Sequence, residues 1–145
     1  MGHACNLFHA LEPLLAPGQT LDRDEQRRLL SLLAVSPAAG RPRLIAQERL
    51  TPGEWRVLMA LIDASPGYAS YAHLLALLTP PSFEACQQRL REARTHGNTA
   101  IKQVLRPLRE VLAGMHPKLK HVGLMVASVQ GLGYLLATFD ESVGG

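Results

Sequence analysis

The chain has 145 residues, of which 47% are hydrophobic and 19% are charged. That length and that balance predict one globular domain with its own core, and they exclude both a large multidomain enzyme and a disordered chain. A net charge of +3 is too small a surplus to identify an anionic partner without knowing where the charge lies.

The N-terminal part of the chain predicts a helical hairpin. Leucines at helical spacing between residues 7 and 15 precede a Pro17-Gly18 stop. Asp22, with Glu25 three residues later, is typical of a capping box, and the leucines at 29–33 would form the apolar face of a second helix.

Residues 1–42 are therefore assigned to an N-terminal helical segment for dimerisation or partner contact. Residues 37–42 contain two prolines and a glycine and predict a linker. A short strand or an extended lead-in over residues 43–49 follows it.

Two helices with clear boundaries come next. Thr51-Pro52-Gly53-Glu54 combines a capping-box threonine, a proline at the first helical position and a glutamate that reaches back, so a helix begins at Pro52. Residues 65–67 (Ser-Pro-Gly) end it. Ser70 caps the next helix, whose apolar stripe runs to Leu78.

A third segment begins at Ser82 and ends at His96-Gly97. Its helical pattern divides the side chains into an inward and an outward set. The inward set is Phe83, Cys86, Leu90 and Ala93, and the outward set is Gln87, Gln88, Arg91 and Arg94.

Asn98 or Thr99 caps a fourth helix, in which an apolar stripe runs from Ile101 to Leu112. Pro107 lies within this stripe, and a proline inside a helix costs roughly 3 kcal/mol. We expect a kink near Gln103 or an early end of the helix.

The pattern changes after Gly114. Residues 116–121 predict a basic loop, and two runs of strand-forming residues, 124–129 and 134–139, predict a β-hairpin with its turn at residues 130–133. Residues 141–145 are expected to form a tail.

The positive charge is concentrated in one stretch. Residues 81–121 carry eight lysines and arginines against three acidic residues, whereas residues 122–145 have no lysine or arginine. A surface that meets phosphate has this distribution, and so does a solvated helical face whose arginines serve solubility.

Four short motifs follow one another in this order. Leu50–Leu58 reads LTPGEWRVL, Ser70–Leu75 reads SYAHLL, Ala100–Leu112 contains a Leu-Arg pair three residues before its last leucine, and Val129–Tyr134 reads VQGLGY. They resemble the first helix (LTPxEFxLL), the second helix (SREELL), the recognition helix (TVDVHISRLRKKL) and the wing signature (VRGxGY) of OmpR/PhoB-type DNA-binding effector domains.

This resemblance, which covers residues 43–137, implies a mainly α fold with a small β component. It would be a winged helix-turn-helix over residues 43–140 with a C-terminal β-hairpin wing, preceded by the N-terminal helical hairpin. The chain leaves no room for the receiver domain that such effector domains follow, so we expect no phosphorelay control.

The resemblance further implies a sequence-specific DNA-binding transcription regulator with its recognition helix in the major groove and the wing beside it. Arginine pairs with guanine and glutamine with adenine, so Arg106 and Gln103 are the expected base-reading residues. Thr99, Lys102 and Arg109 would make phosphate or mixed contacts. The remaining candidate DNA-contacting residues are Lys118, Lys120, Arg91, Arg94 and Gln130.

The wing motif also has a physical interpretation of its own. Gly131 and Gly133 permit the positive φ of a tight turn, and Tyr134 would pack its ring under the recognition helix. We interpret these three as fold determinants. Gln130 and Ala127 stand where the family often has arginine, and Pro107 and Glu110 replace residues that are commonly basic in it.

Residues 81–97 are longer than the family's loop between the second and recognition helices, which can touch RNA polymerase. The basic helix expected here would contact RNA polymerase, contact DNA, or itself be the reading helix. We prefer residues 99–112 to 83–96 for the groove because they directly precede the wing. One module of this size binds weakly, so a homodimer on repeated half-sites is expected.

A second function stays open, namely a winged-helix protein-interaction module that binds RNA polymerase or another regulator with little direct DNA contact. The arginine-free wing and Pro107 favour it. Salt distinguishes the two functions, because a DNA binder loses affinity steeply as salt is added.

Other classes of function find little support. No nucleophile-and-base pattern, phosphate-binding loop or dinucleotide fingerprint occurs, so we expect neither an enzyme nor a cofactor. His3, Cys5 and His9 are conceivable metal ligands, but we expect no metal site. Cys86 is expected to be a buried packing residue.

The expected location is the cytoplasm. No apolar run approaches the roughly 18 to 20 residues of a membrane span, and the N-terminus lacks the basic and apolar regions of a signal peptide. We therefore expect no membrane partner.

Overall fold

The computed structural model describes residues 14–35, 41–78 and 83–138. Within these ranges the fold is a mixture of four helices and two small antiparallel sheets. In chain order the elements are β1 (Gln19–Asp24), β2 (Leu29–Ala34), β3 (Arg43–Arg49), α1 (Pro52–Ala64), β4 (Ala69–Ser70), α2 (Tyr71–Leu78), α3 (Phe83–His96), α4 (Asn98–His121), β5 (Leu124–Val129) and β6 (Gly133–Thr138).

The first sheet has the order β1-β2-β3. Its strands β1 and β2 occupy the place where a second N-terminal helix was predicted, and that prediction is wrong. Leu30 and Leu32 of β2 are buried beside Leu21 of β1. A short leucine-rich run fits a strand as well as a helix. Here a strand pairs with each side of β2, so its backbone is hydrogen-bonded while alternate leucines enter the core.

Asp22, predicted as the helix cap, lies in β1 opposite Ser31, and its predicted partner Glu25 lies in the turn that joins β1 to β2. Asp24 Oδ1 accepts a hydrogen bond from the Arg27 amide at 3.2 Å, and Arg28 adopts the left-handed conformation with φ 53°. An aspartate that bonds to the backbone a few residues ahead is typical of a turn. The leucines before residue 14 lie outside the described ranges.

Residues 43–49, predicted as a short strand or an extended lead-in, form the strand β3. It pairs with β2 from Leu29 opposite Arg49 to Ala34 opposite Arg43, so this sheet spans the boundary expected between residues 42 and 43. Its buried leucines belong to the same hydrophobic cluster as the helices that follow.

The start of α1 confirms the predicted capping box. Thr51 Oγ1 accepts from the Glu54 amide at 3.2 Å, and Glu54 Oε1 accepts from the Thr51 amide at 2.8 Å. The Ser70 cap of α2 is also confirmed, because its Oγ accepts from the His73 amide at 3.3 Å. These caps satisfy amide groups that a helix start leaves without partners.

The third predicted segment is α3, which packs against α2 and α4. Cys86, Leu90 and Ala93 are buried as predicted, and Phe83 packs against the same core. Ser82 lies outside the described ranges.

Helix α4 differs from its prediction at both ends. Its N-cap is Gly97, which makes no side-chain cap, so the prediction of an Asn98 or Thr99 cap is wrong. The helix continues through Pro107 and Pro117 to His121, so the predicted early end and basic loop are also wrong.

A continuous apolar stripe accounts for the length of α4. Leu105, Leu108, Met115 and Leu119 are all buried, the last three completely. Burial of a large aliphatic side chain contributes about 1.5 to 3 kcal/mol. Burial of these four side chains opposes the cost of the two interior prolines, which is roughly 3 kcal/mol each.

The predicted C-terminal hairpin is confirmed as β5 and β6, which pair from Leu124 opposite Thr138 to Val129 opposite Gly133. The short strand β4 adds to the other side of β6 and gives the sheet order β4-β6-β5. The hairpin is thereby joined to the link between α1 and α2.

The two glycines at the hairpin turn, Gly131 and Gly133, have different roles. Gly131 has a φ of 77°, as the prediction required. Gly133 is not among the positive-φ residues, so the prediction is wrong there. A side chain at Gly133 would overlap the backbone carbonyl of Ala69, and close strand approach is the reason for glycine at this position.

Candidate nucleic-acid interface

Five of the predicted DNA-contacting residues lie together on the solvent side of α4. Thr99, Lys102, Gln103, Arg106 and Arg109 are all exposed and border one shallow depression, together with Glu110 and Ala113. We call these five residues the α4 face. Their spacing of three or four residues places them on one side of a helix, while the leucine stripe occupies the other side.

One cation of the α4 face is partly neutralised. Arg106 Nε lies 3.4 Å from Glu110 Oε1, and the two side chains are 78% and 69% exposed. An exposed pair of this kind contributes between 0 and about 1 kcal/mol, so a phosphate or a guanine can compete with Glu110 for the guanidinium.

Lys118 does not belong to the α4 face. Its Nζ donates to Glu54 Oε1 at 2.7 Å, and the two side chains are 28% and 6% exposed. The predicted role in positioning the DNA backbone is therefore not supported by its placement. Lys118 instead attaches α4 to the start of α1.

The surroundings of Glu54 favour the ionised form of its carboxyl group. Burial raises the pKa of this carboxyl, but the hydrogen bonds from Lys118 and Thr51 and the charge of Lys118 outweigh burial, so the pKa lies below its usual value. A side chain at Gly114 would come within 2.7 Å of Glu54 Oε2. Glycine in the middle of α4 thus leaves room for the carboxylate.

A second contact fixes the end of α4. His121 Nδ1 and Glu48 Oε1 form a hydrogen bond between α4 and β3. Neither this contact nor the one between Glu54 and Lys118 was predicted, because each joins residues far apart in sequence. The capping box drew attention to Glu54, but only as a local partner of Thr51.

Lys120 is exposed, and it lies five helical turns after Lys102 on the same side of α4. Lys120 therefore adds a further exposed cation on the side of α4 that carries the α4 face, beyond Arg109. Arg91 and Arg94 are also exposed, but on α3, and Gln130 is exposed at the hairpin turn.

The end of α3 meets the hairpin turn. Arg94 Nη2 donates to the Gly131 carbonyl at 3.2 Å. Arg91 and Arg94 line a groove of about 320 Å³ with Gly131 and Leu132 of the turn. The structure thus brings the predicted arginines of α3 next to the predicted wing.

Tyr134 connects the hairpin with the helices. Its ring packs edge-to-face against Tyr71 at a centroid distance of 5.6 Å. Burial and Tyr71 raise the pKa of Tyr134, while the nearby charge of Arg109 acts in the opposite direction. Tyr134 also shares a groove with Arg109 and Leu112, so the hairpin borders the α4 face.

The described residues contain neither a membrane-spanning helix nor a group of three or more possible metal ligands. Cys86 is buried with 1% exposure, as predicted for a packing residue. His3, Cys5 and His9 lie outside the described ranges.

Comparisons of the chain with protein-family models, with curated proteins and with solved structures found no match. The functional conclusion therefore depends on the arrangement of the residues described above.

Proposed function

We propose that the chain is a sequence-specific DNA-binding transcription regulator, built as a winged helix-turn-helix that resembles OmpR/PhoB-type effector domains. In this proposal α4 enters the major groove and the β5–β6 hairpin lies beside it. The observation that carries the proposal is the α4 face, where three cations, an amide and a hydroxyl share the exposed side of one helix. A helix with this composition fits a groove lined by phosphates and base edges.

The residues of the α4 face divide by chemistry. Gln103 and Arg106 have the paired hydrogen-bonding groups that read adenine and guanine. Lys102 and Arg109, on either side of Arg106 along the helix, are suited to phosphates, and Thr99 sits at the first turn of α4.

The position of the hairpin also supports this assignment. Tyr134 of β6 lies in the groove next to Arg109, so the hairpin runs along the border of the α4 face. The predicted reading helix and the predicted wing are thus neighbours, as the proposal requires. Because α3 also meets the hairpin, at its turn, the preference for α4 as the reading helix rests on the residues of the α4 face.

A homodimer forms part of the proposal. Five side chains on one helix make a small interface, and small modules reach specific affinity by binding repeated half-sites.

The test is selection from a pool of random-sequence DNA duplexes, followed by affinity measurement on the enriched duplex. We expect one motif to be enriched, and Arg106→Ala to weaken binding to it by about 1 to 3 kcal/mol. Selection without enrichment, or binding that Arg106→Ala does not change, would contradict the proposal.

A second candidate function is a protein-interaction module that binds RNA polymerase or another regulator. The observation that favours it is the hairpin, because residues 124–138 contain no charged side chain. A wing that binds phosphate on its own would need cations. If the protein binds DNA weakly and with little salt dependence, this second function is the better account.

A further inference from the structure

The hairpin and α3 complement each other in charge. Residues 124–138 have no lysine, arginine, aspartate or glutamate, so the hairpin cannot neutralise a phosphate with its own side chains. Arg94 of α3 reaches the hairpin at its turn, where it donates to the Gly131 carbonyl at 3.2 Å.

Arg91 and Arg94 lie on the same side of α3. They are three residues apart, which places them on neighbouring turns of one face, and both line the groove beside Gly131 and Leu132. Both are exposed. A guanidinium has five N–H donors in a planar fork, so a donor given to Gly131 leaves others that can meet a phosphate.

We infer that Arg91, Arg94 and the hairpin turn form a second phosphate-binding site, which contacts the DNA backbone outside the groove that α4 occupies. This inference rests on the proposed function. It assigns α3, a basic helix between α2 and the reading helix, the role of supplying the positive charge that the hairpin lacks. The bond from Arg94 to Gly131 holds the turn and the guanidinium together as one unit.

Two sources of negative charge could meet this unit, a DNA phosphate or the carboxylates of a protein. Tyr68 and Leu132, which line the same groove, are 44% and 50% exposed. We assign the unit to DNA because it adjoins the hairpin beside the α4 face. An acidic protein partner would appear in the test as an absence of any effect on DNA binding.

The experiment compares the slope of log Kd against log salt concentration for the full chain and for Arg94→Gln, on a random-sequence duplex. Glutamine keeps an N–H donor for the Gly131 carbonyl but removes the charge. We expect the slope to fall by about 1, since each phosphate contact contributes about 0.9 on duplex DNA. Arg91→Gln combined with Arg94→Gln is expected to lower it by about 2.

Arg27→Gln is the matched control, because Arg27 is an exposed arginine in the turn of the first sheet and pairs only locally with Asp24 among the contacts described for it. Its slope should equal that of the original chain. Equal urea midpoints for the original chain and Arg94→Gln would show that the fold is intact. A shifted midpoint is resolved by Arg94→Lys, which restores the charge and should restore the slope.

Each outcome has a separate meaning. If Lys102→Gln lowers the slope and Arg94→Gln does not, the second phosphate site is wrong and the proposed function stands. If the original chain shows no salt dependence on DNA, the proposed function and the second site are both wrong.

Discussion

The two halves of α4 use their polar side chains differently. In the first half, Lys102 and Arg109 lie exposed on a face without a part in the core. In the second half, Lys118 bonds to Glu54 of α1 and His121 bonds to Glu48 of β3. The exposed cations of the first half are available to a ligand, whereas Lys118 and His121 of the second half hold the fold together. A count of basic residues along the chain does not separate these roles.

The largest effect that tests this difference is expected at Glu54. Glu54→Ala removes half of the capping box and leaves Lys118 without its partner, so we expect a loss of about 2 to 3 kcal/mol in the free energy of unfolding. Glu110→Ala likewise removes the carboxylate partner of a cation, Arg106, but both side chains are exposed. We therefore expect this variant to lose less than about 0.5 kcal/mol in the free energy of unfolding. Urea unfolding followed by the fluorescence of Trp55, the single tryptophan, measures both. Equal losses of unfolding free energy in the two variants would contradict the difference between the two halves of α4.

The next effect separates two lysines of the same helix. We expect Lys118→Met to cost about 1 to 2 kcal/mol of stability, because a buried carboxylate loses its partner, and to leave the salt slope of DNA binding unchanged. We expect Lys102→Met to leave stability unchanged and to lower that slope by about 1. Urea unfolding and DNA titration of both variants check that one loses stability and the other loses salt dependence. A lower salt slope of DNA binding in Lys118→Met would place Lys118 in the interface.

The contact between Glu54 and Lys118 also predicts a dependence on pH. The pKa of Glu54 in the folded chain lies below its usual value of 4.5. Its contribution to stability is therefore fully present at neutral pH and is lost as the pH falls from about 4.5 through the folded pKa. In urea unfolding between pH 7 and pH 3, the original chain should lose more stability than Glu54→Gln. Parallel curves would show that Glu54 is not stabilised as a carboxylate.

The smallest effect concerns the pair on the α4 face. Glu110→Gln removes the competitor for Arg106 and one negative charge near the phosphates, so DNA affinity should rise about twofold to threefold, which corresponds to about 0.5 kcal/mol. Weaker binding of this variant in the same titration would mean that Glu110 accepts a hydrogen bond from a base.

The parts of the fold that could be predicted from the sequence depend on local signals. The α1 cap, the Ser70 cap and the C-terminal hairpin each follow from neighbouring residues, and all three are confirmed. The first sheet could not be predicted because Leu29–Ala34 becomes a strand only when β1 and β3 pair with it. The continuation of α4 past Pro117 depends in the same way on tertiary packing, because Leu119 is buried in the core.

The candidate site follows the same rule. The α4 face could be predicted, since helical spacing alone brings its residues to one side. The bond from Lys118 to Glu54, which removes Lys118 from the candidate site, could not be predicted because those residues are 64 positions apart. The bond from Arg94 to Gly131 likewise joins two elements that are distant in the chain.

The central claim is that the α4 face binds DNA phosphate and that Lys118, in the second half of α4, does not. The most direct measurement is the salt dependence of Kd on a duplex for the original chain, for Lys102→Gln combined with Arg109→Gln, and for Lys118→Gln. We expect a steep slope for the original chain, a slope lower by about 2 for the double variant, and an unchanged slope for Lys118→Gln. Equal slopes for all three proteins would contradict the account.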